Sequence, residues 1–171
     1  MGNLLYGLNK VDNAIPQKLF SEAGTLREHE NTTDAADIFS YTIPANTLEV
    51  GDIVRIKVFC TVVDNNGSDT LTPILNFGGT AICTGAALDV DDNDIVYAWA
   101  DVHVTATGSS GTMTAIGEIR TDANGSTSVT AATNLSSKDT TGGLAVALNM
   151  DWNAANADNE VRIDAVSVEL I

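Results

Sequence analysis

The sequence predicts an all-β protein: an antiparallel β-sandwich, jelly-roll-like, with an extended N-terminal arm. Three observations predict it. Long stretches alternate apolar and polar residues with a period of two, the mark of strands that bury one face. Turn clusters of Asn, Gly and Asp separate them at roughly 10–14-residue spacing, giving about eight to ten strands. No stretch has the apolar spacing of an amphipathic helix. Long strands with wide connections favour a jelly roll over a tight meander. A chain of 171 residues suffices for a two-layer core. The expected organisation is an arm over residues 1–24 and one sandwich domain over 25–171.

The arm differs from the rest. Leu4, Leu5, Tyr6, Leu8, Val11, Ile15, Leu19 and Phe20 follow no sustained period and are interrupted by Gly7, Asn9, Asn13 and Pro16. Two readings stand. Either the segment is extended and finds partners on another surface, with Leu4, Leu5, Tyr6, Leu8 and Ile15 as contacts, or it packs on its own domain.

Residues 25–30 read as a first short strand and 31–35 as a turn. The clearest unit is 40–63. Phe39, Tyr41 and Ile43 alternate with Ser40 and Thr42, and Pro44, which has no N–H to donate, ends the pairing. The chain then turns a corner, with Leu48 and Val50 expected beneath it and Gly51-Asp52 as a turn signal. Val54, Ile56, Val58, Cys60 and Val62 next face one way, and Arg55, Lys57 and Thr61 the other. A strand apolar on one face and charged on the other belongs to an antiparallel sheet with one wet face.

Residues 64–69 form an Asn-Gly turn. A strand follows over 71–77, with Pro73 at an edge or bulge, and Gly78-Gly79 turns it into 80–84. An acidic loop at 89–94 leads into a strand over 95–107, with Val96, Ala98, Ala100, Val102, Val104 and Ala106 on the apolar face. Tyr97, Trp99, Asp101, His103 and Thr105 lie on the other face. Further strands are read over 112–121, 126–135 and 144–152, with a turn at 122–125. The last, over 160–171, changes apolar phase between Ile163 and Val166, and one extra residue near Asp164 or Ala165, a β-bulge, reconciles the two halves.

Charge bounds the function. There are 23 acidic and 8 basic residues, a net charge of −15. Such a field repels phosphate backbones and anionic membrane surfaces, so neither nucleic acid nor membrane is an expected partner. No apolar run reaches the roughly 18 residues of a membrane span, and the N-terminus lacks the basic-then-apolar run of a signal peptide. The Asn-x-Ser/Thr triplets at Asn31, Asn66, Asn124 and Asn134 read as turns. Cys60 and Cys83 are too few for a disulfide scaffold, and whether they bridge is not legible without their separation.

No catalytic constellation emerges, and the chain is not expected to be an enzyme. His29 and His103 are the only histidines. His103 lies two residues from Asp101, but no nucleophile motif accompanies the pair, and it reads as a surface histidine. Asp89, Asp91, Asn93 and Asp94 begin like a calcium loop, yet the Gly and Glu that an EF-hand requires are replaced by Asp94 and Ala100. A looser calcium site on Asp89, Asp91, Asp92 and Asp94 is the one cofactor these residues allow; the alternative is a solvated loop. Tyr97 and Trp99 have three readings: stacking on a sugar ring, anchoring a protein interface, or lying covered by the second sheet or the arm.

The stretch Tyr41-Thr-Ile-Pro-Ala-Asn-Thr-Leu48, followed by Gly51-Asp52, Ile-Val-Arg-Ile-Lys-Val and Asn76-Phe77-Gly78-Gly79-Thr80, resembles tailed-bacteriophage virion proteins of the single jelly-roll type. These serve as capsid decoration proteins, head fibres or minor tail proteins. The resemblance spans residues 36–171, its specific part about 40 of them. It implies a non-enzymatic capsid decoration or cement protein that bridges neighbouring capsid subunits. Its partners would be the major capsid protein or other virion proteins, and it would be a homotrimer. Its place would be the outer surface of the virion, after synthesis in the host cytoplasm. The alternative is a carbohydrate-binding or adhesin module, or a minor tail protein. No catalytic residue comes with the resemblance.

Overall fold

The computed structural model describes residues 16–24, 28–121 and 128–171, with the backbone alone over 128–132. Twelve strands lie in these residues: β1 (Gln17–Ala23), β2 (Glu28–Glu30), β3 (Ala36–Ile43), β4 (Ile53–Asp64), β5 (Thr70–Phe77), β6 (Thr80–Thr84), β7 (Leu88–Asp89), β8 (Ile95–Ala106), β9 (Gly111–Thr121), β10 (Ser128–Lys138), β11 (Leu144–Trp152) and β12 (Glu160–Leu170). They form a seven-stranded sheet, β1-β12-β4-β8-β9-β10 with β2 also on β12, and a five-stranded sheet, β3-β11-β5-β6 with β7 on β5. Every pairing is antiparallel. Strands β1-β12-β4-β8 against β3-β11-β5-β6 is the order of a jelly roll, in which first and last strands lie side by side. The β9–β10 hairpin widens the larger sheet beyond β8.

Alternation decides which face is inside. Val54, Ile56, Val58, Cys60 and Val62 of β4 are essentially inaccessible, as are Val96, Ala98, Ala100 and Val102 of β8. They meet Phe39, Leu75, Phe77, Leu148 and Trp152 of the smaller sheet in one buried core. Cys60 and Cys83 are both buried and free, and burial pushes both thiols up. At the β10 edge Lys138 is buried, and its Nζ donates to the Gly78 carbonyl at 2.7 Å and to Thr80 Oγ1 at 2.6 Å, joining the larger sheet to the β5–β6 turn. Among the described residues no helix is long and apolar enough to cross a membrane.

The resemblance motif has a structural explanation. Asn46 adopts φ 58°, a left-handed conformation that Asn tolerates better than most residues, and its N–H reaches the Thr140 carbonyl at 2.8 Å. Gly78 (φ 54°) and Gly79 (φ 72°) form a two-residue hairpin between the paired Phe77 and Thr80.

Four expectations are corrected. Residues 17–23, assigned to the arm, form β1, paired from Gln17↔Leu170 to Ala23↔Ala165. Phe20 lies 5.5 Å from the Phe39 ring and 5.1 Å from that of Tyr41, closing the sandwich on that side. A register shift between Lys18 and Phe20 hides the period of two in the sequence. The rest of the expected arm, with Leu4, Leu5, Tyr6, Leu8 and Ile15, lies outside the described residues, as does the expected turn at 122–125. Leu48 is buried, but Val50 is 65% exposed, because the turn closed by Glu49 N–H on Asp52 Oδ2 puts it at the tip. Pro73 sits inside its sheet, opposite Met150, in the gap between the β6 and β7 ladders where no N–H is required. Finally, Leu88–Asp89 at the start of the acidic loop pairs with β5. The bulge in β12 falls where the phase change puts it, between Ile163 and Ala165.

Candidate docking face

The outer face of the larger sheet carries the residues that point away from the core, and the register sets them side by side. Phe59 of β4 lies opposite Tyr97 of β8, Lys57 opposite Trp99, and Arg55 opposite Asp101. On β9, Glu118 faces Trp99 and Ile116 faces Asp101. The Phe59 and Tyr97 rings stack with centroids 4.5 Å apart. Phe59 is 44% exposed and Ile116 43%, large values for apolar side chains within a sheet. Tyr97 and Trp99 are half-buried by these neighbours. The second sheet does not cover them, since it packs on the opposite face; that removes one part of the third reading.

Polar groups hold this surface in place. Arg55 donates from Nε and Nη2 to the two oxygens of Asp101, each at 2.8 Å, a bidentate pair. That hydrogen bonding raises the guanidinium pKa further above its ordinary value. Trp99 Nε1 donates to Glu118 Oε2 at 3.0 Å, which fixes the indole, and Arg120 lies 3.8 Å from the same carboxylate. Burial, with Glu118 nearby, raises the Tyr97 phenol. Asp101 is thus committed to Arg55, and the exposed His103 has no catalytic partner there. Phe59 and Ile116 were not singled out from sequence; the available signal was their position in the outward parity of β4 and β9.

A depression of about 210 Å³ lies beside Phe59, where β1 and β12 cross the face. It is smaller than the roughly 300 Å³ at which pockets for drug-sized ligands begin, and its size limits an occupant to about one ring. The loops at one end of the sandwich are tied to one another. Asn65 N–H binds Asp92 Oδ1 at 2.8 Å, Asn66 N–H binds Asn159 Oδ1 at 3.1 Å, and Asn159 Nδ2 binds Asp69 Oδ2 at 2.9 Å. In the acidic loop Asp94 Oδ2 accepts from Asp91 N–H at 2.7 Å. Asp92 and Asp94 therefore serve as acceptors for backbone, and no three His, Cys, Asp or Glu side chains converge among the described residues.

His29 of β2 is 4% exposed and its Nε2 has no hydrogen-bond partner among the described residues. Burial lowers its pKa below the ordinary 6.5, with Asp151 pulling weakly the other way. As pH falls below 6.5 the unfolded chain takes up a proton that the folded one refuses, so this group destabilises the fold until the folded pKa is reached. Glu160 opposes it: burial with Glu28 and Glu30 raises its pKa, so the folded state gains stability as pH falls toward the ordinary 4.5. Comparison with His29→Gln isolates the first effect. The wild-type urea midpoint is expected to fall relative to that of the variant between about pH 7.5 and about pH 5.5. Parallel midpoints would show that His29 is not coupled to folding.

No family model and no curated protein matches the sequence. Among solved structures the chain is similar to the EclA C-terminal domain, a sugar-binding protein, at 11% identity and TM-score 0.40, over 88% of this chain and 82% of that one. It is similar to a chain of infectious bursal disease virus, Gx strain, at 10% identity and TM-score 0.39, over 92% of this chain and 32% of that one, about a third of its length. It is also similar to the CBM2 module of the evolved Dit of Lactobacillus casei BL23 phage J-1, at 10% identity and TM-score 0.32, over 76% and 67% of the two chains. All three likenesses are distant, and the assignment as a two-sheet antiparallel sandwich stands on the strand pairing itself.

Proposed function

We propose that this chain is a non-enzymatic structural protein of a bacteriophage particle, a decoration or cement protein that bridges neighbouring capsid subunits on the outer surface of the shell. The observation that carries the reading is the apolar surface on one broad sheet, exposed Phe59 and Ile116 with half-buried Tyr97 and Trp99 on the strand between them. Aromatic anchors rimmed by charged pairs, here Arg55–Asp101 and Glu118–Arg120, are the composition of a protein–protein contact. Six strands side by side span about 25 Å, enough for the roughly 800 Å² per partner of a standard interface. Repeated many times over a shell, such contacts add up. The phage assignment and the homotrimer rest on the resemblance of the 41–80 hairpin region.

The test is occupancy. The double variant Trp99→Ala/Ile116→Ser, checked for folding by circular dichroism, is mixed with particles of the encoding phage that lack the protein. Bound copies are expected to fall about tenfold or more. Full occupancy would sink the docking reading. Removing residues 1–15 leaves β1 intact and asks separately whether the arm anchors the protein. The competing reading is a sugar-binding or adhesin module, or a minor tail component, of the same particle; the depression beside Phe59 is the specific observation that favours sugar.

A further inference from the structure

We infer that the depression between β1, β12 and β4 is a binding site for an acidic sugar residue, a single uronic-acid ring. Three features of the groove lead there. Its wall is aromatic: Phe59 stacks on Tyr97 toward β8, which leaves its other face toward β12, and it lines the depression on that side. Its floor is made of small residues, Ala23, Ala165, Ser21 and Ser167, which the register sets in adjacent pairs, Ala23↔Ala165↔Phe59 and Ser21↔Ser167↔Lys57. The β12 bulge next to Ala165 breaks the regular pleat at this point. A volume of about 210 Å³ suits one six-membered ring lying against Phe59, with the Ser167 hydroxyl in the lining to meet a ring hydroxyl, while Ser21 Oγ already accepts from Lys18.

The charge of the ligand follows from Lys57, which lines the same groove. Among the described residues every other Lys and Arg has a partner. Lys18 donates to Ser21, Arg55 pairs with Asp101, Arg120 with Glu118, Lys138 with Gly78 and Thr80, and Arg162 with Asp164. Among the described residues Lys57 has no hydrogen bond or ion pair, and it lines the groove together with Phe59. A carboxylate on the bound ring completes it. Glu22 also lines the groove, and the protein as a whole is strongly acidic, so affinity for a single ring is set on the order of 1 mM. The site lies on the other side of Phe59 from the Trp99 cluster, and the inference is independent of where the protein sits on a particle.

The experiment is a titration of the whole protein with methyl β-glucuronide, followed by amide chemical shifts. Saturable binding on the order of 1 mM is expected, with shifts centred on β1, β4 and β12. Methyl β-glucoside and the Lys57→Gln variant should each bind at least about fivefold more weakly, Phe59→Ser should lose binding, and Trp99→Ala should keep it. No saturable binding overturns the site. Equal affinity for glucoside, or wild-type affinity in Lys57→Gln, overturns the acidic ligand. Loss of binding in folded Trp99→Ala moves the site elsewhere on the face and overturns this assignment. Capsid occupancy of Trp99→Ala/Ile116→Ser is a separate readout, so the docking reading and this site stand or fall independently.

Discussion

Trp152→Ala is expected to destabilise the protein by about 3–5 kcal/mol, the range for deleting a fully buried indole. Trp152 is 1% exposed and ends β11, opposite Leu71 of β5. Its Nε1 donates to the His29 carbonyl at 3.3 Å, so the same side chain fills the core and holds β2. Truncation removes the apolar contact, leaves a cavity between two sheets that cannot collapse independently, and frees a carbonyl of a three-residue strand. Trp152→Phe keeps most of the volume and loses the hydrogen bond, and is expected to cost about 1–2 kcal/mol. Urea denaturation followed by circular dichroism measures both. A loss below about 1 kcal/mol for Trp152→Ala would mean that the sandwich is not closed at this end.

Gly111→Ala is expected to cost about 1–3 kcal/mol through overpacking at the β8–β9 turn. A Cβ at residue 111 would stand 2.6 Å from the Lys138 carbonyl oxygen and 2.8 Å from that of Ala106. Both are backbone atoms, one on each flanking strand, so neither can rotate aside. The shift would pass to Lys138, whose Nζ bonds tie β10 to the β5–β6 turn. Gly142→Ala is the control: its Cβ would meet Asp139 no closer than 3.4 Å, and its effect is expected within about 0.5 kcal/mol. Equal melting temperatures for the two variants would show that the close approach at Gly111 is not enforced.

The outcome for each element tracks how much of its environment is local. Strands β4, β8, β11 and β12 bury one face against one opposing sheet, so the period of two is written into them, and the bulge at Ala165 appears as a phase change within a single strand. The corner at Asn46 and the hairpin at Gly78-Gly79 are legible for the same reason, since left-handed backbone conformations select their residues locally. Edge strand β1 has no local signature: its register slips after Lys18, so its inward contacts come from the consecutive residues Leu19 and Phe20 instead of alternate ones. The place of Pro73 inside the sheet has no local signal, because the gap between β6 and β7 exists only once three strands have assembled.

The face outside the core shows the same division. Strand parity alone turns Tyr97 and Trp99 away from the apolar side of β8, because alternation is local. That Phe59 stacks on Tyr97, that Ile116 lies opposite Asp101, that Asp101 is held by Arg55 and not offered to His103, and that Lys57 has no partner among the described residues were decided by tertiary structure. These relations join β1, β4, β8, β9 and β12, strands up to about 150 residues apart in the chain, and cross-strand register has no local signature. Alternation within a strand fixes which way a side chain points; only the assembled sheet fixes what it points beside.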